Sequence, residues 1–306
     1  MKRVQYEKTQ DFTNALELLR NFVEEILAGD VEGLRTYCFD ELSKFIGDID
    51  PDMTLIMKAI YIILWGDIYD LTFENMGPWN MEGTYAFRGD TMNSFGSLIG
   101  KKSKENDFAY RAKLFGADKD LELWSKIKEF EKTYHWVGNF IIIPNRSTIK
   151  YGINGARAFF YNRDDCEGMR DYFDWFLLAI KKYQDKIKAD DNHFTKFEMQ
   201  LNRNQEYDPA FLDISKWEKR FFLEDYFENG QPKLLFCTPL KRRLLITAER
   251  KYRQGESYYQ DQEYLNILRD YLLKATNVIK NRSNKIVDFL KKELQKNEVN
   301  RLLKTN

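Results

Sequence analysis

Residues 124–144 read WSKIKEFEKTYHWVGNFIIIP, a helical pattern that gives way to a short apolar strand. Apolar residues spaced three or four apart predict one helix over residues 118–135. That apolar stripe consists of Leu121, Trp124, Ile127, Phe130 and Tyr134. The run Phe140–Ile143, closed by Pro144-Asn145, predicts a strand or hairpin near residues 139–144. The stretch therefore predicts a mainly α fold with minor β, of the α+β class.

Helical periodicity dominates the chain on both sides of this stretch. It predicts irregularly arranged helices over residues 52–65, 166–187, 194–201 and 214–227. A helical C-terminal region follows over residues 258–294, as one long helix or as two helices separated near residues 281–284. Its apolar stripe consists of Leu265, Leu268, Leu272, Ala275, Ile279, Ile286 and Leu290. A second, weaker strand is predicted over residues 234–237.

A chain of 306 residues suffices for one large domain or for two of ordinary size. The strongest turn signals between helical patterns are Asn229-Gly230 and Pro232. They place a soft boundary between a mainly helical core domain, residues 1–228, and a basic helical region, residues 229–306. No low-complexity linker separates the two regions, so a single domain is the alternative.

Charge is balanced over the whole chain but not along it. Lysines plus arginines and aspartates plus glutamates both number 48. Residues 11–52 contain eleven acids and three bases, whereas residues 280–304 contain eight bases and three acids. Such asymmetry is typical of a basic arm for a polyanion, or of two ends of one fold that attract each other. The balanced total gives no separate indication of nucleic acid or membrane as a partner.

Cysteine usage and hydropathy indicate a cytoplasmic protein. The three cysteines, Cys38, Cys166 and Cys237, are distant and odd in number, which predicts neither a disulfide framework nor a zinc knuckle. The first residues contain no secretory apolar region. The longest apolar run, residues 53–65, is interrupted by Lys58 and is shorter than the ~20 residues of a membrane span. We therefore expect a reduced, intracellular protein with no membrane partner.

His135 is the residue of the opening stretch with the most varied chemistry. It is one of only two histidines, and it lies between Tyr134 and Trp136 where the predicted helix ends. A histidine there can bind a metal, act as a general base or bond to nearby backbone as a structural residue. The neighbouring Gly138-Asn139 pair can open a strand, because glycine tolerates any φ and asparagine bonds to nearby backbone groups.

Two motifs in this part of the chain resemble an uncharacterised bacterial family, a domain of unknown function. They are GDTMNSF at residues 89–95 and YHWVGNFIIIPN at residues 134–145. The resemblance extends to the aromatic run DYFDWFL at residues 171–177. It implies a bacterial or phage origin and no particular activity.

A remoter similarity is to HNH-type endonucleases, in which a Gly-Asn-Leu strand follows a tryptophan-containing helix. Gly138-Asn139-Phe140 would stand for that strand and Asn154 for a downstream asparagine. The resemblance implies Asp90 as an oxygen ligand for Mg²⁺ or Mn²⁺, His135 as ligand or base, and the two asparagines as residues that shape the loop. In those enzymes the histidine that activates water lies upstream, and this chain has no histidine before His135. A catalytically degenerate relative is therefore the expectation.

Two further clusters contain residue types that bind ligands. Asp190, Asp191 and His193 could bind a metal, but acids placed before a helix are typical of capping. The densest basic cluster, with tyrosines nearby, consists of Lys241, Arg242, Arg243, Arg250 and Lys251. Lysine and arginine neutralise phosphates, and a tyrosine can stack on an unpaired base. This basic cluster is either a nucleic-acid contact or a solvated helix face.

Missing motifs narrow the function to two hypotheses. The chain has no P-loop, no dinucleotide fingerprint, no GxSxG elbow and no HExxH motif. The first hypothesis is a non-catalytic macromolecule-binding scaffold, without metal or cofactor, whose partner is a protein or a nucleic acid in a defence or mobile-element setting. The second is a divergent metal-dependent HNH-like nuclease. Burial of His135 would favour the scaffold, and a cavity lined by the four implied site residues would favour the nuclease.

Overall fold

The computed structural model describes residues 60–61, 63–65, 85–87, 120–133, 136–144, 172–195, 198–199, 201–202, 213–233 and 262–295. This part of the chain is mostly helical and contains small antiparallel sheets of two strands. The predicted α+β class is therefore confirmed. No helix among the described residues is long and apolar enough to cross a lipid bilayer.

The described residues divide between two compact units, each of which is considered by itself. Unit 1 contains the described residues up to 87, residues 136–144 and residues 282–295. Unit 2 contains residues 120–133, the described residues from 172 to 233, and residues 262–281. Both units are assembled from segments that are distant in the sequence. The division predicted at residues 228 and 229 stays a prediction.

Unit 1 contains a small sheet and a buried helical segment. Strand β1, Tyr85–Phe87, pairs antiparallel with β2, Ile142–Pro144, in the register Ala86 opposite Ile143. The strand predicted over residues 140–143 thus begins two residues later and includes Pro144. Residues 60–61 and 63–65 are helical, as predicted. The rings of Tyr61 and Trp65, one helical turn apart, are both buried and lie 5.1 Å apart between centroids.

Helix α1, Leu121–Thr133, belongs to unit 2 and confirms the helix predicted over residues 118–135. Asp120 caps it, because its Oδ1 accepts the backbone N–H of Leu123 at 3.0 Å. This bond, together with the ion pair between Asp120 and Arg269, holds the pKa of the Asp120 carboxyl below its ordinary value. The predicted stripe was wrong at its start, because Leu121 is 83% exposed and Leu123 is buried instead. Leu121 occupies the first helical turn, where the capped end meets solvent.

Helix α2, Tyr172–Lys188, confirms the predicted amphipathic helix and places Ile180 and Tyr183 in the core of unit 2. It ends in a Schellman motif, because the N–H of Asp191 bonds to the carbonyl of Lys186 at 2.9 Å. Asp190 occupies the left-handed position of that motif, with φ of 54°. Aspartate is among the few residues other than glycine that adopt this conformation readily.

Helix α3, Ile214–Arg220, is shorter than the helix predicted over residues 214–227. Phe222 has φ of 57°, and the N–H of Leu223 bonds back to the carbonyl of Glu218 at 2.8 Å. A second Schellman motif therefore ends α3, and a 3-10 turn at Glu224–Tyr226 follows. The prediction was wrong because apolar residues continue beyond the point where the backbone turns.

A tight hairpin follows the 3-10 turn, joining strand β3, Phe227–Glu228, to β4, Gln231–Pro232. Asn229 and Gly230, between the strands, have φ of 51° and 72°. Positive φ at both central positions is the backbone of a type I′ turn, for which Asn-Gly is the favoured pair. The soft boundary suggested by these residues falls within this hairpin. The strand predicted over residues 234–237 lies outside the described residues.

Helix α4, Gln262–Gln295, is the long C-terminal helix. It continues without interruption through residues 281–284, so the alternative of two helices is wrong. All seven residues of its predicted apolar stripe are buried, from Leu265 to Leu290. Residues 262–281 of α4 belong to unit 2 and residues 282–295 to unit 1.

Candidate functional site

The Gly138-Asn139 pair lies in a buried 3-10 turn, Val137–Asn139. The sequence predicts instead that this pair opens a strand. The N–H of Asn139 bonds to the carbonyl of Trp136 at 2.8 Å, and that of Phe140 to the carbonyl of Val137 at 3.1 Å. Residues 136–141 are all buried, and we call them the Trp136–Ile141 segment. The segment lies within unit 1 and leads directly into strand β2.

Two adjacent residues of α4 bind the backbone of this segment. Arg282 is fully buried, and its Nη1 donates to the carbonyls of both Gly138 and Phe140, each at 2.7 Å. The hydroxyl Oγ of Ser283, also fully buried, accepts the N–H of Gly138 at 2.9 Å. We call these two side chains, with the three backbone groups they bond, the Arg282–Ser283 clamp.

The energetics of the clamp follow from the burial of its charge. Removing a guanidinium from water costs several kcal/mol per ion, by the order of magnitude known for buried charges. Hydrogen bonds to a charged group contribute about 1.5–3 kcal/mol each, which offsets part of that cost. Arginine keeps its proton at all ordinary pH values, so this charge cannot be relieved by titration. The hydrogen bonds of the clamp therefore offset a desolvation cost that is present whenever Arg282 is buried.

The chemistry of the clamp is positioning and not reaction. A guanidinium bound to two carbonyls offers no nucleophile and no general acid or base near neutral pH. The Gly138 N–H is occupied by Ser283 and therefore does not point at a substrate. What the arrangement does is hold the backbone on both sides of Asn139 in one conformation.

Of the four site residues implied by the HNH resemblance, Asn139 alone lies among the described residues. Its side chain is fully buried, at 0% exposed. The stretch Gly138-Asn139-Phe140, which would stand for the strand of those enzymes, contains part of the 3-10 turn, and the strand begins at Ile142. Asp90, His135 and Asn154 lie outside the described residues, as do the five basic residues of the predicted nucleic-acid contact. Those five are Lys241, Arg242, Arg243, Arg250 and Lys251. Their predicted roles, and any site for Mg²⁺ or Mn²⁺ at Asp90, stay predictions.

Sequence reasoning missed Arg282 and Ser283, although one signal was available. Arg282 lies three residues after Ile279 and four before Ile286, which places it within the apolar stripe of the helix. A charged residue within such a stripe requires a buried hydrogen-bonding partner. The partner itself, a turn more than 140 residues earlier in the chain, could not be identified from spacing.

A second polar cluster lies in unit 2, around Glu198. Glu198 Oε2 accepts the N–H of Thr195 at 2.7 Å, and Thr195 Oγ1 accepts the N–H of Glu198 at 3.2 Å. This reciprocal pair is a capping box, in which Thr195 begins the helix that contains Glu198. Lys186 Nζ donates to Glu198 Oε2 at 2.7 Å and to the carbonyl of His193 at 2.8 Å. We call these four residues the Glu198 cluster.

The Glu198 carboxyl is held ionised in this cluster. Burial of Glu198 raises its pKa, but the bonds from Lys186 and Thr195 outweigh that effect, so its pKa lies below the ordinary value. The Glu198 side chain is 5% exposed and that of Lys186 is 27% exposed, so the lysine is the more accessible partner of the ion pair.

The structure assigns Asp190, Asp191 and His193 to the connection between two helices. Asp191 Oδ1 accepts the backbone N–H of His193 and the Nδ1–H of its ring, each at 2.9 Å, and the backbone bond is the main cause of the lowered pKa of Asp191. The His193 side chain is 98% exposed. The prediction that these acids cap the following helix was wrong, because Thr195 is the helix cap and Asp190 ends α2 instead. Within the described ranges no three His, Cys, Asp or Glu side chains converge as metal ligands would.

Comparisons with known proteins add no relative to this chain. No family model, no curated protein and no solved structure matches it. The resemblances to a bacterial family and to HNH-type endonucleases therefore rest on the motifs alone.

Proposed function

We propose that this protein is a non-catalytic macromolecule-binding scaffold, in which the Trp136–Ile141 segment is a structural element. The observation that carries the proposal is the complete burial of Asn139 between backbone groups that Arg282 holds. The Gly138 and Phe140 carbonyls and the Gly138 N–H are bonded inside the protein, so these groups are not offered to a metal ion or a substrate. A turn whose carbonyls and N–H are bonded internally is suited to holding a fold in shape.

The binding surface belongs, in this proposal, to the basic cluster of residues 241–251. Lysine and arginine at this density suit the phosphates of a nucleic acid, and the nearby Tyr252 can stack on a base. The resemblance to a bacterial family supports an intracellular bacterial or phage setting. A protein partner is the alternative occupant.

The experiment is a binding and cleavage assay on labelled DNA and RNA, with Mg²⁺ or Mn²⁺, across a series of salt concentrations. We expect binding without cleavage, with an affinity that falls as salt rises because phosphate contacts release counterions. The variant Lys241→Ala/Arg242→Ala/Arg243→Ala should weaken binding and reduce the salt slope. The matched control is Lys182→Ala/Lys188→Ala/Lys219→Ala, which removes three exposed charges elsewhere.

Two outcomes would contradict the proposal in different ways. Metal-dependent cleavage that is lost in Asp90→Ala and retained in the control variant would establish the HNH-like nuclease instead. Absence of both binding and cleavage, with a folded protein, would exclude nucleic acid as the partner and leave a protein partner as the occupant to be sought.

A further inference from the structure

Arg282 begins a row of buried residues on the part of α4 that belongs to unit 1. Arg282, Ile286 and Leu290 are buried at intervals of four residues, which places them along one ridge of the helix. Two of the three are apolar and pack by contact alone. Only Arg282 can form directional bonds from this ridge, so it distinguishes one position of the helix from its neighbours.

The three hydrogen bonds of the clamp can form in only one register of α4 relative to the turn. Moving a helix by one residue shifts its side chains by about 1.5 Å and rotates them by about 100°. The two 2.7 Å bonds of Arg282 and the 2.9 Å bond of Ser283 would all be lost by such a shift. Apolar packing tolerates slippage better than this, because it is not directional. Buried polar residues at apolar positions are known to specify register in helical assemblies.

The same bonds restrain the turn from both sides. Arg282 binds the carbonyls before and after Asn139, and Ser283 binds the N–H that begins the same peptide stretch. Three backbone groups within three residues are thus bonded to two consecutive helix residues. These bonds restrain the turn while residues 282–283 remain in place, and the turn loses all three partners when those residues move away.

We infer that residues 282–295 of α4 act as a strap that locks the Trp136–Ile141 segment through the Arg282–Ser283 clamp. Release of the clamp opens the segment locally and exposes Asn139, while the helices of unit 2 keep their structure. The strap is a conformational device within unit 1, and it does not depend on the proposed binding function. Its failure and the failure of that proposal are therefore distinguishable.

The test is hydrogen–deuterium exchange on the full chain, read by mass spectrometry. The reporting peptide covers residues 136–141, and the reference peptide covers α2, residues 172–188. Ser283→Ala removes the acceptor for Gly138 and should speed exchange in the reporting peptide roughly tenfold. Arg282→Met keeps the length of the side chain but removes two hydrogen bonds. It should speed exchange in the reporting peptide about tenfold more than Ser283→Ala does. Arg282→Lys retains one charged donor, so its exchange rate in the reporting peptide should lie between those of the wild type and of Arg282→Met.

The control is Ser125→Ala, which removes a hydroxyl from an exposed position of α1 and should leave both peptides unchanged. Faster exchange confined to residues 136–141 supports the strap. Unchanged exchange there in both Ser283→Ala and Arg282→Met would overturn it. Equal acceleration in the reporting and the reference peptides would also overturn it, because the clamp would then contribute only to general stability.

Discussion

The Arg282–Ser283 clamp and the Glu198 cluster use the same kinds of bonds in two different environments. In the clamp a fully buried guanidinium binds neutral carbonyls. In the Glu198 cluster a carboxylate binds the ammonium of Lys186, whose side chain is 27% exposed, together with the N–H of the helix cap Thr195. Burial makes the bonds of the clamp harder to replace by water. The comparison indicates that solvent exposure, more than the number of hydrogen bonds, determines how much a polar contact contributes to the stability of the fold.

The largest expected effect is that of Arg282→Ala on the clamp. The substitution leaves two buried carbonyls without their donor and creates a cavity, which together should lower local stability by about 3–5 kcal/mol. Native-state hydrogen exchange from residues 136–141 measures this value. The control is Lys219→Ala, at an exposed position of α3, which should change the local stability of residues 136–141 by less than about 0.5 kcal/mol. A loss below about 1 kcal/mol would mean that water replaces the guanidinium and that the contrast with the Glu198 cluster is false.

A smaller effect is expected for Glu198→Ala in the Glu198 cluster. The substitution removes half of the capping box and the bond to Lys186, which should cost about 1–2 kcal/mol in the peptide covering residues 195–202. The same exchange experiment measures it. Met199→Ala, beside it on the exposed side of the helix, is the control. An effect of Glu198→Ala as large as that of Arg282→Ala would contradict the proposed role of exposure.

The pH dependence sharpens the contrast further, because only one of the two sites titrates. The pKa of Glu198 is lower in the folded protein than its ordinary value of 4.5, so folding favours the carboxylate. This stabilisation is complete above the pKa of the unfolded chain, and it is lost as pH falls through the lower folded value. Urea unfolding of the wild type and of Glu198→Gln from pH 7 to pH 3 measures it. The stability difference between them should narrow as pH falls, and a constant difference would contradict the assignment.

The smallest expected effect is that of salt. A double-mutant cycle with Lys186→Met and Glu198→Gln should give a coupling of about 1 kcal/mol at low salt, falling by about half at 1 M NaCl. The Debye length is then about 3 Å, and the Lys186 side chain is 27% exposed, so counterions can approach this ion pair. The effect of Arg282→Ala on residues 136–141 should not change with salt, because its partners are buried and neutral. If the effect of Arg282→Ala on residues 136–141 did change with salt, ions would have to reach Arg282.

Local patterns predicted the elements of this fold well where a single face is buried. The apolar stripe of α4 is buried from Leu265 to Leu290, because spacings of three and four fix which side of a helix meets the core. The same pattern failed at Leu121, since a residue in the first turn lies where the helix end meets solvent. It failed again after Arg220, because Phe222 adopts a left-handed backbone that bulky residues rarely adopt.

Two short motifs in the sequence predict local structure that the sequence analysis did not identify. Asn229-Gly230 is the favoured pair for a two-residue hairpin, and the strands on either side are only two residues long. Thr195 and Glu198 have the spacing of a capping box, which identifies the start of a helix more sharply than the acids before it do. Both features depend on contacts within four residues, so they were readable without the fold.

The candidate site was predictable only in part. The sequence singled out Gly138-Asn139 from its position between a helix and a strand, and Asn139 does lie in a fully buried turn. The roles implied for Asp90, His135 and Asn154, and for the basic cluster, stay predictions. Arg282 and Ser283 were not predicted, because nothing near them in the chain shows which backbone groups they bind.

Composition and periodicity were enough to establish a mainly helical α+β fold and the faces that its long helices bury, whereas the 3-10 turn at Gly138-Asn139 came only from the structure. The fold class and the buried faces follow from interactions between residues that are near one another in the chain, so the order of residues contains them directly. The pairing of that turn with Arg282 and Ser283 emerged only from the folded chain. It joins groups about 145 residues apart, and water competes for such groups until packing has buried them, so their sequence neighbours do not indicate which partners they take.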